Sequence, residues 1–194
     1  MDIRLLIFDL DGTLIDSKLD LANAVNAARA FLRLGPIDLD TISSYVGDGA
    51  PMLIRRALGP DFDDEQVARA LEFFLTYYRE HKLDHTRFYP GVREALNAFG
   101  GRVLAVLTNK PVRISREILE GLGATAYFRY VFGGNSFETK KPHPEGVHNI
   151  LQASGIPPQQ AMIVGDSGVD ILTGRNAEIH TCGVAYGFAP HTFE

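Results

Sequence analysis

The residues of this chain that are equipped for chemistry begin near its start. Asp9 and Asp11 stand one residue apart in Phe8-Asp9-Leu10-Asp11-Gly12-Thr13, directly after an apolar run from Ile3 to Phe8. Later runs end the same way: "VLAVL" leads into Thr108 and Asn109, and "AMIV" leads into Gly165, Asp166 and Ser167, with Asp170 shortly beyond. Lys140 and Lys141 lie in "KKPHP" between them. Asp9, Asp11, Asp166 and Asp170 would repel one another at a common point unless a cation held them. A set of oxygen ligands without His or Cys suits a hard ion, Mg²⁺ in preference to Zn²⁺. Mg²⁺ bound by few carboxylates keeps positions open for water and a phosphate oxygen. Thr108, Lys141 and the turn amides near Gly12 would then serve the other phosphate oxygens. A carboxylate at Asp9 can attack phosphorus to form an aspartyl phosphate. Asp11 can protonate the leaving oxygen and later activate water. Gly12 allows the sharp turn that brings both acids to one point.

The elements that must position these groups are legible as a pattern. Apolar, β-branched runs recur at 102–107, 130–132, 161–164 and 181–185, separated by helical segments at 91–99, 112–122, 144–154 and 169–177. Short apolar strands alternating with helices predict an α/β fold with a doubly wound parallel sheet covered on both faces. In such sheets ligands bind beyond the carboxyl ends of the strands, where all the polar groups above fall.

Residues 16–87 read differently. They hold no convincing strand, and apolar residues recur at helical spacing: Leu21, Ala24, Val25, Ala28 and Leu32, then Val67, Ala70, Leu71, Phe74 and Tyr78. "FLRLGP" and "ALGPDF" punctuate the helices. This predicts an all-helical cap of residues 16–87 inserted into a core of residues 1–15 and 88–194, lying above the carboxylates. The crossings at 14–18 and 87–91 would act as hinges. Gly47 to Pro51 would form a cap loop that selects the leaving group, with Gly49, Asp48 and Arg55 as candidate substrate contacts; a solvated helix face is the plainer alternative for Arg55 and Arg56.

Composition narrows the classes. The net charge is −5 with 22% charged and 45% hydrophobic residues over 194 positions, which suits a folded chain and argues against a nucleic-acid surface. The lone Cys182 excludes an internal disulfide or a cysteine-rich zinc site and is expected in the core. No apolar stretch reaches spanning length and the N-terminus enters a strand directly, so a cytoplasmic protein without membrane association, monomer or homodimer, is expected.

Taken together, Asp9-Leu10-Asp11-Gly12-Thr13, Thr108-Asn109, Lys141-Pro142 and Gly165-Asp166-Ser167-x-x-Asp170 resemble the four motifs of the haloacid dehalogenase superfamily, in order over nearly the whole chain. "VGDGAPMLIRRAL" and "VAYGF" are further similar to phosphoglycolate phosphatases. The resemblance implies a Rossmann-like core, a Mg²⁺-dependent phosphomonoester hydrolase and a small phosphorylated metabolite as substrate, 2-phosphoglycolate first among them. It implies catalytic roles for Asp9 and Asp11, and phosphate contacts from Gly12, Thr108, Asn109 and Lys141. Metal ligation would come from Asp9, Asp11, Asp166 and Asp170, and Lys141 is favoured over Lys140 because it directly precedes Pro142.

Other readings compete. Asp170 could orient Lys141 instead of touching the ion, and Ser167 could merely cap a helix. A sugar phosphomutase would use the same motifs, and an idle phosphate-binding module would keep the fold without turnover. A dehalogenase would not need Asp11, a phosphonate-cleaving relative would want a lysine in the cap loop, and a dinucleotide binder would want G-x-G-x-x-G after the first strand.

Overall fold

The computed structural model describes residues 2–193. The chain begins with strand β1 (Leu5–Phe8) and a two-residue strand β2 (Ile15–Asp16). Helices α1 (Lys18–Phe31), α2 (Leu39–Ser44), α3 (Ala50–Leu58) and α4 (Asp64–His81) follow, ending at the two-residue strand β3 (Arg87–Phe88). Helices and strands then alternate as α5 (Val92–Ala98), β4 (Val103–Leu107), α6 (Val112–Gly121), β5 (Tyr130–Phe132), α7 (Glu145–Ser154), β6 (Ala161–Gly165), α8 (Gly168–Asn176) and β7 (His180–Gly183). Two compact units result, Met1–Asp16 with Phe88–Glu194, and Ser17–Arg87.

The first unit is built on a five-stranded sheet of order β5-β4-β1-β6-β7. All its pairings are parallel, and β1 is central: Leu5 to Phe8 lie opposite Val103 to Val106 on one side and Ala161 to Val164 on the other. A strand covered on both faces needs apolar residues at every position, and all four residues of β1 are buried. Leu5, Ile7, Ala105, Leu107, Ile163, Val147 and Ile150 form one apolar cluster of sheet and α7. The chain builds outward from β1 through β4 to β5, then returns to the other side of β1 for β6 and β7. This reversal beside β1 is the switch point where open α/β sheets place their ligands, and it is the doubly wound arrangement expected.

The second unit is helical. α1 packs mainly on α4, and α4 also on α3. Leu21, Ala24, Val25 and Ala28 of α1 and Val67, Ala70, Phe74 and Tyr78 of α4 are buried. Asp63 caps α4 by accepting from Gln66 N at 2.8 Å, while Gln66 Oε1 accepts from Asp63 N at 3.1 Å. Asp20, only 1% exposed, accepts from His85 N, Thr86 N and Thr86 Oγ1 at 2.7–3.0 Å, tying the first turn of α1 to the segment after α4.

One local expectation changes. Cys182 is exposed, not core, because it lies on β7, the last strand in the sheet order. The short strands β2 and β3 pair as a second, two-stranded sheet. Among the described residues, no helix is long and apolar enough to cross a membrane.

Candidate active site

The carboxyl ends of β1, β4 and β6 bring Asp9, Thr108 and Asp166 to one rim, and the loop before α7 adds Lys141. Asp9 follows β1 directly, its amide donating to Val164 O at 2.9 Å and so continuing the β1–β6 ladder. Its side chain keeps 13% of its surface exposed. One carboxylate oxygen from each of Asp9, Asp166 and Asp170 lies within 4.8 Å of the other two. Lys141 is inserted among them, with Nζ 2.9 Å from Asp9 Oδ1 and 2.5 Å from Asp170 Oδ1.

The electrostatics follow from this crowding. Burial first, then repulsion from Asp170 and Asp166, outweighs the attraction of Lys141 and pushes the Asp9 pKa up to about 7. Asp166 is raised too, chiefly by burial, although the Phe188 amide partly offsets the shift. Burial alone would lower the Lys141 pKa, but Asp170 and Asp9 outweigh it and hold the ammonium charged. Asp9 Oδ1 is buried, with the Lys141 ammonium 2.9 Å away as its charged neighbour. Three converging acids, one penalised for ionising, form an oxygen-only cluster deficient in positive charge, and it fits a hard divalent cation.

Close backbone approaches hold the acids in place. Gly12 has φ of 80°, and a Cβ there would overlap the Asp166 carboxylate. A Cβ on Gly165 would likewise overlap the Asp170 side chain. Asp166 Oδ1 accepts from Thr13 Oγ1 at 3.2 Å and Oδ2 from Phe188 N at 2.7 Å. Ser167 donates from Oγ and N to Asp170 Oδ2 at 2.7 and 3.2 Å, so its side chain braces that acid at the start of α8.

The remaining expected site residues are placed as follows. The Asp11 carboxylate lies outside the three-acid group and pairs with Lys110 Nζ, at 3.0 Å from Oδ1 and 2.9 Å from Oδ2. The Gly12 amide donates to Ile15 O at 2.9 Å, closing the turn. Thr108 is 3% exposed, and its Oγ1 accepts from Lys110 N at 3.3 Å. Asn109 uses its side-chain amide on the Lys141 backbone, donating to Lys141 O and accepting from Lys141 N, both at 3.0 Å. Lys141 reaches the acids, as its place before Pro142 leads one to expect.

Gly49, Asp48 and Arg55 belong to the second unit. Gly49, with φ of 88°, precedes α3; Asp48 pairs with Arg56 at 2.5 Å; Arg55 pairs with Asp64 and donates to Phe62 O at 3.0 Å.

Sequence reasoning missed Lys110, whose signal was its place beside Thr108 and Asn109 at the strand end. It also left "VAYGF" without a task. In the structure Gly187 approaches so closely that a Cβ would fall 2.5 Å from Asp166 Oδ2 and 2.6 Å from Gly12 O, and Tyr186 Oη donates to Thr13 O at 2.9 Å.

Known proteins resemble this chain over nearly its whole length. Over 193 residues the chain is 40% identical to a phosphoglycolate phosphatase of Chromobacterium violaceum, covering 96% of this chain and 87% of that one. It is 41% identical over 197 residues to a phosphoglycolate phosphatase of Psychrobacter arcticus, covering 97% and 86%. A crystal structure described as a predicted phosphoglycolate phosphatase from Haemophilus somnus 129pt superposes with a TM-score of 0.93 at 32% identity, over 98% of this chain and 88% of that one. The family model for haloacid dehalogenase-like hydrolases matches residues 6–184, and the chain belongs to that family.

Proposed function

We propose that this chain is a Mg²⁺-dependent phosphomonoester hydrolase that acts on a small organic phosphate, 2-phosphoglycolate being the substrate its relatives' names suggest. The observation that carries the reading is the convergence of Asp9, Asp166, Asp170 and Lys141 at the end of the central strand. Mg²⁺ bound by Asp9, Asp166 and Asp170 would neutralise the acids and add positive charge opposite the phosphoryl oxygens.

Asp9 acts as the nucleophile. Its carboxylate oxygen bonds to phosphorus while the ester P–O bond breaks, and Asp11 gives a proton to the departing oxygen. Asp11 then takes a proton from water, the water oxygen bonds to phosphorus, and the bond from phosphorus to Asp9 breaks to release phosphate. Lys141 and Thr108 neutralise and orient the phosphoryl oxygens. Asn109 fixes the Lys141 backbone, and Asp170 holds its ammonium.

The test is a panel of small phosphomonoesters assayed with Mg²⁺ and with chelator, joined to acid-quench trapping of phosphoenzyme. Mg²⁺-dependent release of phosphate with a trapped, base-labile acyl phosphate is expected. Turnover that survives exhaustive chelation, or no turnover of any phosphomonoester, would overturn the reading.

A further inference from the structure

Lys110 is a buried cation beside the acid/base, and nothing in the reaction above uses it. Its side chain is 5% exposed and that of Asp11 10%, and the ammonium contacts both carboxylate oxygens. The backbone under it is fixed. Lys110 O accepts from Gly134 N at 2.9 Å, and Lys110 N donates to Thr108 Oγ1. Side chains at Gly133 and Gly134 would strike the Lys110 and Asn109 carbonyls, so the pair of glycines after β5 lets that loop close on this turn.

The arrangement poses a geometric difficulty. Asp11 must turn an oxygen towards the ester oxygen, yet Lys110 engages both of its oxygens. Moving Asp11 away would break a buried ion pair, which costs several kcal/mol. An anion arriving with the substrate removes that cost, because one carboxylate replaces another on the same ammonium.

We propose that Lys110 is a specificity-determining residue that passes from Asp11 to an anionic group on the leaving half of the substrate, releasing Asp11 to take a proton from solvent and give it to the ester oxygen. The inference rests on the reading of Asp11 as acid/base given above. It assigns the substrate class as phosphate esters whose alcohol bears a carboxylate close to the ester oxygen. A neutral alcohol of the same length lacks the replacement charge. Sites built to pair a buried polar group discriminate strongly against ligands that leave it unpaired.

The experiment compares kcat/KM for 2-phosphoglycolate and 2-hydroxyethyl phosphate at saturating Mg²⁺ in the wild type, Lys110→Met and Lys110→Arg, with a thermal melt of each. The wild type is expected to prefer the carboxylated ester by about 100-fold or more, in line with a charge-assisted hydrogen bond. Lys110→Met should shrink that preference at least tenfold, mainly through the carboxylated ester, and Lys110→Arg should restore most of it. Equal losses on both esters in Lys110→Met would overturn the proposal and leave Lys110 as a brace for Asp11. If Lys110→Met does not fold, the wild-type ratio decides: a preference below about threefold overturns the proposal. Hydrolysis of both esters without preference defeats only the role of Lys110, whereas hydrolysis of neither defeats the phosphatase reading itself.

Discussion

Gly12 and Asp166 compete for one volume, and only the absence of a side chain on Gly12 lets the carboxylate occupy it. A Cβ on Gly12 would fall 2.6 Å from Asp166 Cγ and nearer still to Oδ2. Its φ of 80° adds a left-handed backbone that costs a non-glycine residue about 1 kcal/mol or more. Gly12→Ala should therefore displace Asp166 before it unfolds the protein. The Mg²⁺ concentration for half-maximal activity is expected to rise at least tenfold, with a fall in Tm of a few degrees. An unchanged Mg²⁺ requirement would show that Asp166 does not hold the cation.

Asn109 and Lys141 form a second such pair, because the side-chain amide of one closes a ring of two hydrogen bonds on the backbone of the other. Asn109→Ala leaves the ammonium present but its stem less fixed. Each substrate presents the same phosphoryl group to Lys141, so kcat/KM should drop by a similar factor, about 10- to 100-fold, across a panel of esters. Lys141→Met should lower the same panel further. A loss confined to some substrates would place Asn109 at the leaving group.

Asp9→Asn keeps the size of the side chain and removes the nucleophilic oxygen pair. Turnover should fall by at least about a thousandfold, the phosphoenzyme trapped in the wild type should vanish, and the fold should persist. Residual turnover at a few per cent of wild type would move the nucleophile elsewhere.

The parallel sheet was legible, and a candidate site could be drawn on its rim, because the signal was local. The apolar runs at β1, β4 and β6 are each followed directly by a polar residue, and ligands bind beyond the strand ends in this architecture. The two-residue strands β2 and β3 left no trace, since a pair that short has no period to read. Lys110 escaped because a lysine in a loop reads as solvated until the fold brings Asp11 to it. The tasks of Asn109 and Gly187 depend on partners distant in sequence, which no motif spacing encodes. For Arg55 the helical unit supplies its own acceptors, Asp64 and Phe62 O.

Asp20 illustrates the same limit on the stability side. In the sequence it is one more acid in the first turn of a helix, yet it accepts from three donors, the half-buried His85 amide and the buried amide and hydroxyl of Thr86. Asp20→Ala should destabilise the protein by about 3 kcal/mol or more, because orphaned buried donors each cost about 1–3 kcal/mol. A urea melt followed by circular dichroism measures it. A loss below about 0.5 kcal/mol would mean water replaces the carboxylate without cost.

The raised pKa of Asp9 ties cation binding to pH. Burial, with Asp170 and Asp166 adding repulsion, lifts it from 3.8 to about 7 against the pull of Lys141. Between about pH 4 and 7 the cation-free folded protein thus keeps a proton on Asp9 that the unfolded chain has released. The sign is negative: each such retained proton lowers stability as pH rises, at up to about 1.4 kcal/mol per pH unit. Asp166, also raised, acts in the same direction. The raised Lys141 contributes stability that is lost only above the ordinary lysine range, outside this window. Mg²⁺ binds the ionised acids, so it must displace the proton below pH 7 and meets no such competition above it. In chelator the Tm should fall from pH 5 to pH 8, and the rise in Tm on adding a fixed excess of Mg²⁺ should grow over the same interval. Calorimetric titration near pH 6 should show up to one proton released from Asp9 per ion bound. A Mg²⁺-induced shift in Tm as large at pH 5 as at pH 8 would mean that the cation does not bind through Asp9.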